Sequence, residues 1–376
     1  MTKDNQTTIL ETVKFYKPSK GGMETVVETI VDSVCSLSEN YRFLVYSNTH
    51  TQSFVGTAFE ESRNMIIKES TPFLFKNQPL SLFYLSLMKL INESNIIHHH
   101  YPFPTMEIAL LRNRNLIKNK KLIITWHANI QQSRWKSISG LYDPIANRLL
   151  KMASCIVVSS PQLIDNSFLL KRYIDKVKVI PLSYDSKFVN INQQPRIIDP
   201  DAVKRILFVG KLREYKGVKY LIEAVKGLDK IELIIVGSGE QEAELKKQVE
   251  DNNMKSQVQF VKNADDTQLR DLYQICDLFV LPSINEAEAF GVVQLEAMAN
   301  GLPVINTKLN SGASFVSLDK VTGFTVPPCN SILLKNSILE ILNDPILYNF
   351  FSTNCLERIK LFDSTRFANE YLKLYE

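Results

Sequence analysis

Short apolar runs rich in β-branched residues alternate with amphipathic stretches along almost the whole chain, and that alternation limits the fold more than any other feature. The strand candidates are 8–15, 41–46, 96–99, 122–125, 155–158 and 177–180, then 205–209, 232–236, 258–261, 278–281 and 303–305. Helical patterns separate most of them. A strand that lies parallel to its neighbour needs a long crossover, usually a helix, so the pattern predicts β-α units and parallel sheets. The polar stretch 185–201 breaks the alternation, which then restarts. A chain of 376 residues can bury two cores of ordinary size. The expected architecture is α/β, two doubly wound domains facing each other across a cleft. The first spans 1–187, a linker follows at 188–203, and the second spans 204–355. A final helix within 356–376 is expected to pack back on the first domain. Ligands of such sheets gather at the carboxyl ends of strands, so the residues after each strand are the ones to inspect.

Composition excludes several classes. Five cysteines, an odd number at wide spacing, argue against a disulfide framework and a zinc site, and for a reducing compartment. The N-terminal stretch has no apolar core of signal-peptide length, and no run approaches the ~18 apolar residues of a membrane span. The expectation is a cytoplasmic protein, or one peripheral at the inner face of the cytoplasmic membrane. Charge is uneven: residues 1–190 carry 23 Lys and Arg against 15 Asp and Glu, and the remainder carries 21 against 25. The sharpest basic cluster is Arg112, Arg114, Lys118, Lys120 and Lys121. It reads as a solvated helix end or as a contact with anionic lipid, where each basic residue contributes about 1 kcal/mol. No stripe of aromatic and basic residues accompanies it, which disfavours nucleic acid.

The motifs follow the strands. After 205–209 comes Gly210-Lys211-Leu212-Arg213-Glu214-Tyr215-Lys216-Gly217, then a helical stretch. A cationic loop leading into a helix N-terminus suits a diphosphate, because backbone N–H groups and the positive helix end attract the anion. Lys211 and Lys216 add full charges. The later Gly237-Ser238-Gly239 is a tight turn or a close approach to a nucleotide base. It lacks the third glycine of a dinucleotide fingerprint. After 278–281 comes Pro282 to Gly291 and a helix over 292–300, stopped by Gly301. Its N-terminus near Phe290, Gly291 and Val292 can face a phosphate. Glu288 precedes this helix and Glu296 lies inside it. Eight helical residues rise about 12 Å, whereas carboxyl pairs for glycoside hydrolysis sit roughly 5–9.5 Å apart. The two glutamates therefore suit two roles on one elongated ligand. Glu296, on an apolar helix, needs a partner if buried: a ribose or a nearby Lys or Arg.

In the first half, Gly21 and Gly22 precede a helix and allow close backbone approach. His98, His99 and His100 are adjacent. In a strand their side chains alternate, so at most two share a face. No Asp, Glu or Cys stands beside them in sequence, and a metal site is not expected. They read as cleft-lining or structural residues. His127 ends the 122–125 strand and is a candidate for substrate contact. The stretch Ser133-Arg134-Trp135-Lys136 is a weaker candidate for a polar acceptor. Asp199-Pro200-Asp201 has the letters of a metal-binding Asp-x-Asp pair but precedes a strand, and reads as a turn.

The runs Leu281-Pro282-Ser283, Glu288 to Ala299, and Gly301-Leu302-Pro303-Val304-Ile305 resemble the Glu-x7-Glu signature of the family 4 retaining glycosyltransferases. Their fold, GT-B, is two facing Rossmann-like domains. Residues 311–316 and 323–328 match the same pattern. The resemblance implies that Glu288 binds hydroxyls of a donor sugar and Glu296 the nucleotide ribose. It implies that Lys211 and Lys216 neutralise the donor diphosphate, with Lys211 standing where an Arg is usual. The Gly21-Gly22 loop would lie against donor phosphate and acceptor, and His127 would touch the donor sugar. Gly22, Lys211, Lys216, Glu288, Phe290, Gly291, Val292 and Glu296 are thus the expected donor site, with Glu288, His127 and Lys216 central to catalysis. Gly21, His100, Arg112, Arg114 and Lys118 are the weaker acceptor or membrane set.

The implied reaction moves a hexose from a GDP- or UDP-linked sugar to a glycan hydroxyl, with retention. The expected acceptor is a growing surface polysaccharide of the O-antigen type, carried on a polyprenyl diphosphate lipid. No cofactor or metal is expected, because cationic side chains and helix ends can stabilise the leaving diphosphate. The rivals are a sugar-nucleotide 2-epimerase and a nucleotide-binding module without chemistry.

Overall fold

The computed structural model describes residues 6–19, 21–49, 57–61, 64–70, 73–75, 78–80, 84, 86–129, 139–188, 193–199 and 201–376. Two compact units divide the chain: Met1–Leu182 with Thr365–Glu376, and Ser183–Ser364.

The strands of the first unit are β1 (Thr7–Thr12), β2 (Tyr41–Thr49), β3 (Thr57–Glu61), β4 (Asn64–Ser70), β5 (Phe73–Phe75), β6 (Gln78–Leu80), β7 (Ile96–Tyr101), β8 (Lys121–Trp126), β9 (Cys155–Val158) and β10 (Val177–Val179). Eight of them form one sheet in the order β10-β9-β8-β7-β1-β2-β4-β3, and β5 pairs only with β6. Every pairing in the large sheet is parallel except β3 with β4. The chain winds outward in both directions from β1, so the switch point lies between β1 and β7. Alternation along β1 splits the core into two layers. Leu10 joins the cluster that includes Leu44, Ile97, Leu122 and Trp126. Ile9 joins the opposite cluster with Val27, Phe43, Ile96 and Ile123, which Phe367, Tyr371, Leu374 and Tyr375 complete. These last four residues belong to the helix Ser364–Tyr375 and cover the sheet within the first unit.

The second unit holds β11 (Lys204–Val209), β12 (Ile231–Val236), β13 (Val258–Val261), β14 (Leu278–Leu281), β15 (Val304–Thr307) and β16 (Gly323–Val326). All pairings are parallel, in the order β13-β12-β11-β14-β15-β16. This is the doubly wound order with its switch point between β11 and β14. Ile206, Leu207, Phe208, Leu233, Phe279 and Val280 are buried at its centre. Truncating Phe208 to Ala there would cost about 3–5 kcal/mol.

The boundaries differ from the sequence expectation. The first unit ends at Leu182, and the return to it begins at Thr365, not at 356. The segment 193–199, expected as linker, is fastened to the second unit by Arg196. Its guanidinium donates to the carbonyls of Asn300 (2.7 Å), Cys276 (2.6 Å) and Tyr273 (2.7 Å), and its backbone N–H donates to Ser352 (2.8 Å). The sequence missed β3, β4, β5, β6 and β16, whose runs are short or interrupted by polar residues.

Candidate active site

In the second unit the two loops expected to meet a donor leave the carboxyl ends of adjacent strands. β11 runs into Gly210, the short 3-10 turn Glu214–Lys216, and the helix Val218–Val225. β14 runs through 282–291 into the helix Val292–Ala299. Gly217 makes the junction possible: it is left-handed at φ +65°, and a Cβ there would come within 2.1 Å of the Pro282 carbonyl oxygen. Lys216 and Glu288, both buried, meet across this junction. Lys216 Nζ donates to Glu288 Oε2 over 2.5 Å, and Ser283 Oγ donates to the same oxygen over 2.8 Å. Lys211 is exposed on the same loop.

Gly291 caps the helix Val292–Ala299 in the left-handed region at φ +71°, packed against Gln294 and Leu281. The first amides of that helix lack intrahelical acceptors. Phe290 is buried against Phe362, with ring centroids 6.3 Å apart, so its ring is not available to a ligand. Glu296 is buried, and its partner is neither Lys nor Arg: Tyr273 OH donates to its Oε2 over 2.6 Å. Burial pushes the Glu296 carboxyl up to about 7, while the Tyr273 hydrogen bond pulls the other way. Sequence reasoning missed Tyr273, which carries no motif of its own, and assigned no role to Ser283, although it ends the run Leu281-Pro282-Ser283.

In the first unit Gly21 caps the helix Gly22–Leu37 in extended backbone. A Cβ on Gly22 would meet nothing within 4 Å, so its backbone face is open, whereas the Glu24 carboxylate folds over Gly21. Arg112, Arg114 and Lys118 are exposed near one another in sequence, on and after the helices Pro104–Arg112 and Arg114–Ile117. Lys120 turns inward to the Asn92 and Ser94 carbonyls. The stretch Ser133–Lys136 lies outside the described residues. Asp199 Oδ1 accepts from the Asp201 backbone N–H over 2.9 Å, a turn as expected.

The three histidines need a correction. His98, His99 and His100 are fully buried, so His100 does not reach an acceptor or a membrane surface. An acidic partner does stand beside them: Glu11, from the neighbouring strand β1, is also fully buried. In register, Glu11 pairs with His98 and His100 with Thr125. Glu11 Oε1 lies 2.9 Å from His98 Nδ1, and Oε2 lies 2.8 Å from His100 Nε2. His100 Nδ1 lies 2.8 Å from Nε2 of His127, which is partly exposed. The ligand atoms of Glu11, His98 and His100 all fall within 4.8 Å of one another, a set compatible with a divalent cation. Each already has a hydrogen-bond partner at normal length, however, which suits a polar network without an ion. His99 points to the other face, to Thr12 (2.8 Å) and Glu107 (3.4 Å). The charged residue inside the apolar run of β1 was the available sequence signal for Glu11. Its pairing with β7 was not legible.

Residues 20–188 match the family described as Glycosyltransferase Family 4, and residues 191–358 match Glycosyl transferases group 1. The O-antigen chain mannosyltransferase C of Escherichia coli is 30% identical over 372 residues, spanning 98% of this chain and 97% of that protein. The D-rhamnosyltransferase WbpZ of Pseudomonas aeruginosa is 28% identical over 89% of this chain and 87% of its own. Among solved structures, a sucrose-phosphate synthase from Thermosynechococcus elongatus superposes with a TM-score of 0.75 at 22% identity, covering 98% of both chains. HepE of Anabaena, in complex with UDP, superposes with a TM-score of 0.74 at 18% identity, covering 98% of this chain and 99% of that one. The two parallel α/β domains are those of the GT-B fold, and the chain belongs to the family 4 glycosyltransferases.

Proposed function

We propose that this glycosyltransferase moves a hexose, with retention, from a GDP- or UDP-linked sugar to a hydroxyl of a growing surface polysaccharide held on a polyprenyl diphosphate lipid. The observation that carries the reading is the Lys216–Glu288 pair at the switch point of the second sheet, beside the helix N-terminus at Gly291. Lys216, Lys211 and the amides of Val292 and Val293 stabilise the diphosphate as negative charge develops on it. Glu288 accepts from sugar hydroxyls and Glu296 from the ribose. Gly22 offers an open backbone face to phosphate, and His127 meets the transferred sugar. Among these side chains none is placed as an obvious covalent nucleophile, which favours front-side displacement. The acceptor oxygen bonds to the anomeric carbon as the bond to the diphosphate breaks, and the leaving phosphate oxygen takes the acceptor proton. This charge stabilisation needs no metal.

The two relatives named for O-antigen mannose transfer and D-rhamnose transfer support a polysaccharide acceptor and a mannose-type sugar. HepE with UDP supports a nucleoside diphosphate product. No helix among the described residues is long and apolar enough to cross a membrane. The exposed Arg112, Arg114 and Lys118 support peripheral attachment to anionic lipid instead.

The test is release of nucleoside diphosphate from a panel of nucleotide sugars, with polyprenyl-diphosphate-linked acceptors and without them. The expected result is release that depends on the acceptor. No release from any donor by folded protein refutes transfer. Release or epimerisation without an acceptor would favour the 2-epimerase. Liposome binding that survives neutralisation of Arg112, Arg114 and Lys118 refutes the membrane contact.

A further inference from the structure

The polar chain behind His127 is closed at every described link. Tyr375 OH donates to Glu11 Oε1 over 3.1 Å and lies 2.9 Å from His98 Nδ1. Thr125 Oγ1 lies 2.7 Å from His98 Nε2. The His100 and His127 ring centroids are 5.1 Å apart and the rings 23° from parallel. That separation is what two ring radii and one N···N contact add up to. The nitrogens therefore point at each other along the ring planes, and the rings do not lie face to face.

Such a chain leaves little choice of proton positions. A carboxylate only accepts, so Glu11 requires N–H at both His98 Nδ1 and His100 Nε2. Burial alone would raise the Glu11 pKa, but the charges and hydrogen bonds of His98 and His100 hold it at about 2. His100 is kept neutral: burial and the nearby His98 push it down to about 4, against the pull of Glu11. A neutral His100 with N–H at Nε2 has a lone pair at Nδ1. His127 must then donate through Nε2. Burial and His100 push its pKa well below the ordinary value, so it too is neutral. Its Nδ1 is a lone-pair acceptor with no partner among the described residues.

We propose that Glu11 and His100 are positioning residues for His127: the relay Glu11–His100–His127 locks His127 in the Nε2–H tautomer and presents Nδ1 to accept a hydrogen bond from a hydroxyl of the transferred sugar. This rests on the reading that His127 meets that sugar. Two consequences follow from the lock. His127 cannot protonate the leaving diphosphate, because its outward nitrogen carries no proton. It also selects sugars that bear a hydroxyl at that position, since a site built to bond a hydroxyl strongly rejects the analogue lacking it.

The test reads the tautomer directly. In protein labelled with ¹⁵N-histidine, long-range ¹H–¹⁵N spectra at pH 7.5 identify His127 by comparison with His127→Gln. The expected spectrum has Nε2 protonated and Nδ1 bare in one slow form. Glu11→Gln should mix or reverse it, with His100→Phe as a second variant should Glu11→Gln fail to fold. Kinetics use whichever of GDP-mannose and UDP-glucose is turned over. Glu11→Gln should lower kcat/KM about 10- to 100-fold, the size seen for outer partners of ligating histidines. Added to His127→Gln, it should cost less than about twofold further. A mixed or Nδ1–H tautomer in the unaltered protein overturns the relay, as do fully additive losses or a stoichiometric metal ion bound to intact protein. An unchanged rate in His127→Gln, with the tautomer as stated, overturns the sugar contact and leaves the relay standing.

Discussion

Lys216 donates to Glu288 over 2.5 Å, and the two residues tie together loops that leave neighbouring strands of the second sheet. Their side chains are only 10% and 8% exposed, so neither charge has water as a substitute partner. Lys216→Met strands a buried carboxylate and should cost about 3–5 kcal/mol. It should also cut transfer at least about 100-fold through lost charge stabilisation. Adding Glu288→Leu should recover part of the stability and none of the activity. Urea unfolding and nucleoside diphosphate release separate the two effects; a Lys216→Met protein as stable as its parent would contradict the first.

On the proposed contact of Glu296 with the ribose, nucleotide binding should depend on pH. The Glu296 carboxyl is pushed up to about 7, and the ionised form is the better acceptor for ribose hydroxyls. Affinity for GDP or UDP should therefore rise as pH rises through 7, and Glu296→Gln should flatten the curve. Tyr273→Phe removes the hydrogen bond that holds the value down, so the midpoint should move to higher pH. The stability sign is opposite. A carboxyl with a raised folded pKa contributes stability below its ordinary range near 4.5, and that contribution is lost as pH rises through 7. Calorimetric titration between pH 5.5 and 8.5 tests the binding curve, and a Tyr273→Phe midpoint that moves downward would refute the assignment.

Gly217 and Gly227 separate backbone strain from collision. Both are left-handed, at φ +65° and +70°, but a Cβ on Gly227 meets nothing within 4 Å while one on Gly217 meets the Pro282 carbonyl oxygen at 2.1 Å. Gly227→Ala should cost about 1–2 kcal/mol, the strain alone. Gly217→Ala should cost clearly more and disturb the approach of Lys216 to Glu288. Equal unfolding free energies for the two variants would show that the loop yields without strain.

The parallel sheets were legible because each strand is a short apolar run followed by a helical period, as at β9, β13 and β14, whose limits match the expectation residue for residue. The loops after β11 and β14 stood out as candidates because a charge next to glycine at a strand end has few structural uses. What escaped was partnership at a distance. Tyr273 lies 23 positions from Glu296, and Tyr375 lies 364 from Glu11. Neither carries a local pattern, and only strand order and helix docking bring them together. The histidines show the same limit. Alternation placed His98 and His100 on one face, but only the pairing of β1 with β7 set Glu11 against them.

The buried relay should make the protein acid-sensitive in two stages. His100 is neutral when folded, with its pKa pushed down to about 4 from an ordinary 6.5. The unfolded chain binds a proton across that window, so stability is full above 6.5 and falls as pH drops towards 4. Glu11 follows. Its folded pKa near 2, against an ordinary 4.5, contributes stability above 4.5 that is lost as pH falls through 2. Both slopes have the same sign and oppose that of Glu296, so in a Glu296→Gln background the melting temperature should fall monotonically below pH 6.5. Tyr375→Phe removes one donor to Glu11 and should lower stability at neutral pH by roughly 1–2 kcal/mol. His100→Phe removes the titrating ring, and the slope between pH 6.5 and 4 should become shallower. Melting temperatures measured at unit pH steps test this, and a steeper slope in His100→Phe would mean that His100 is charged in the folded protein.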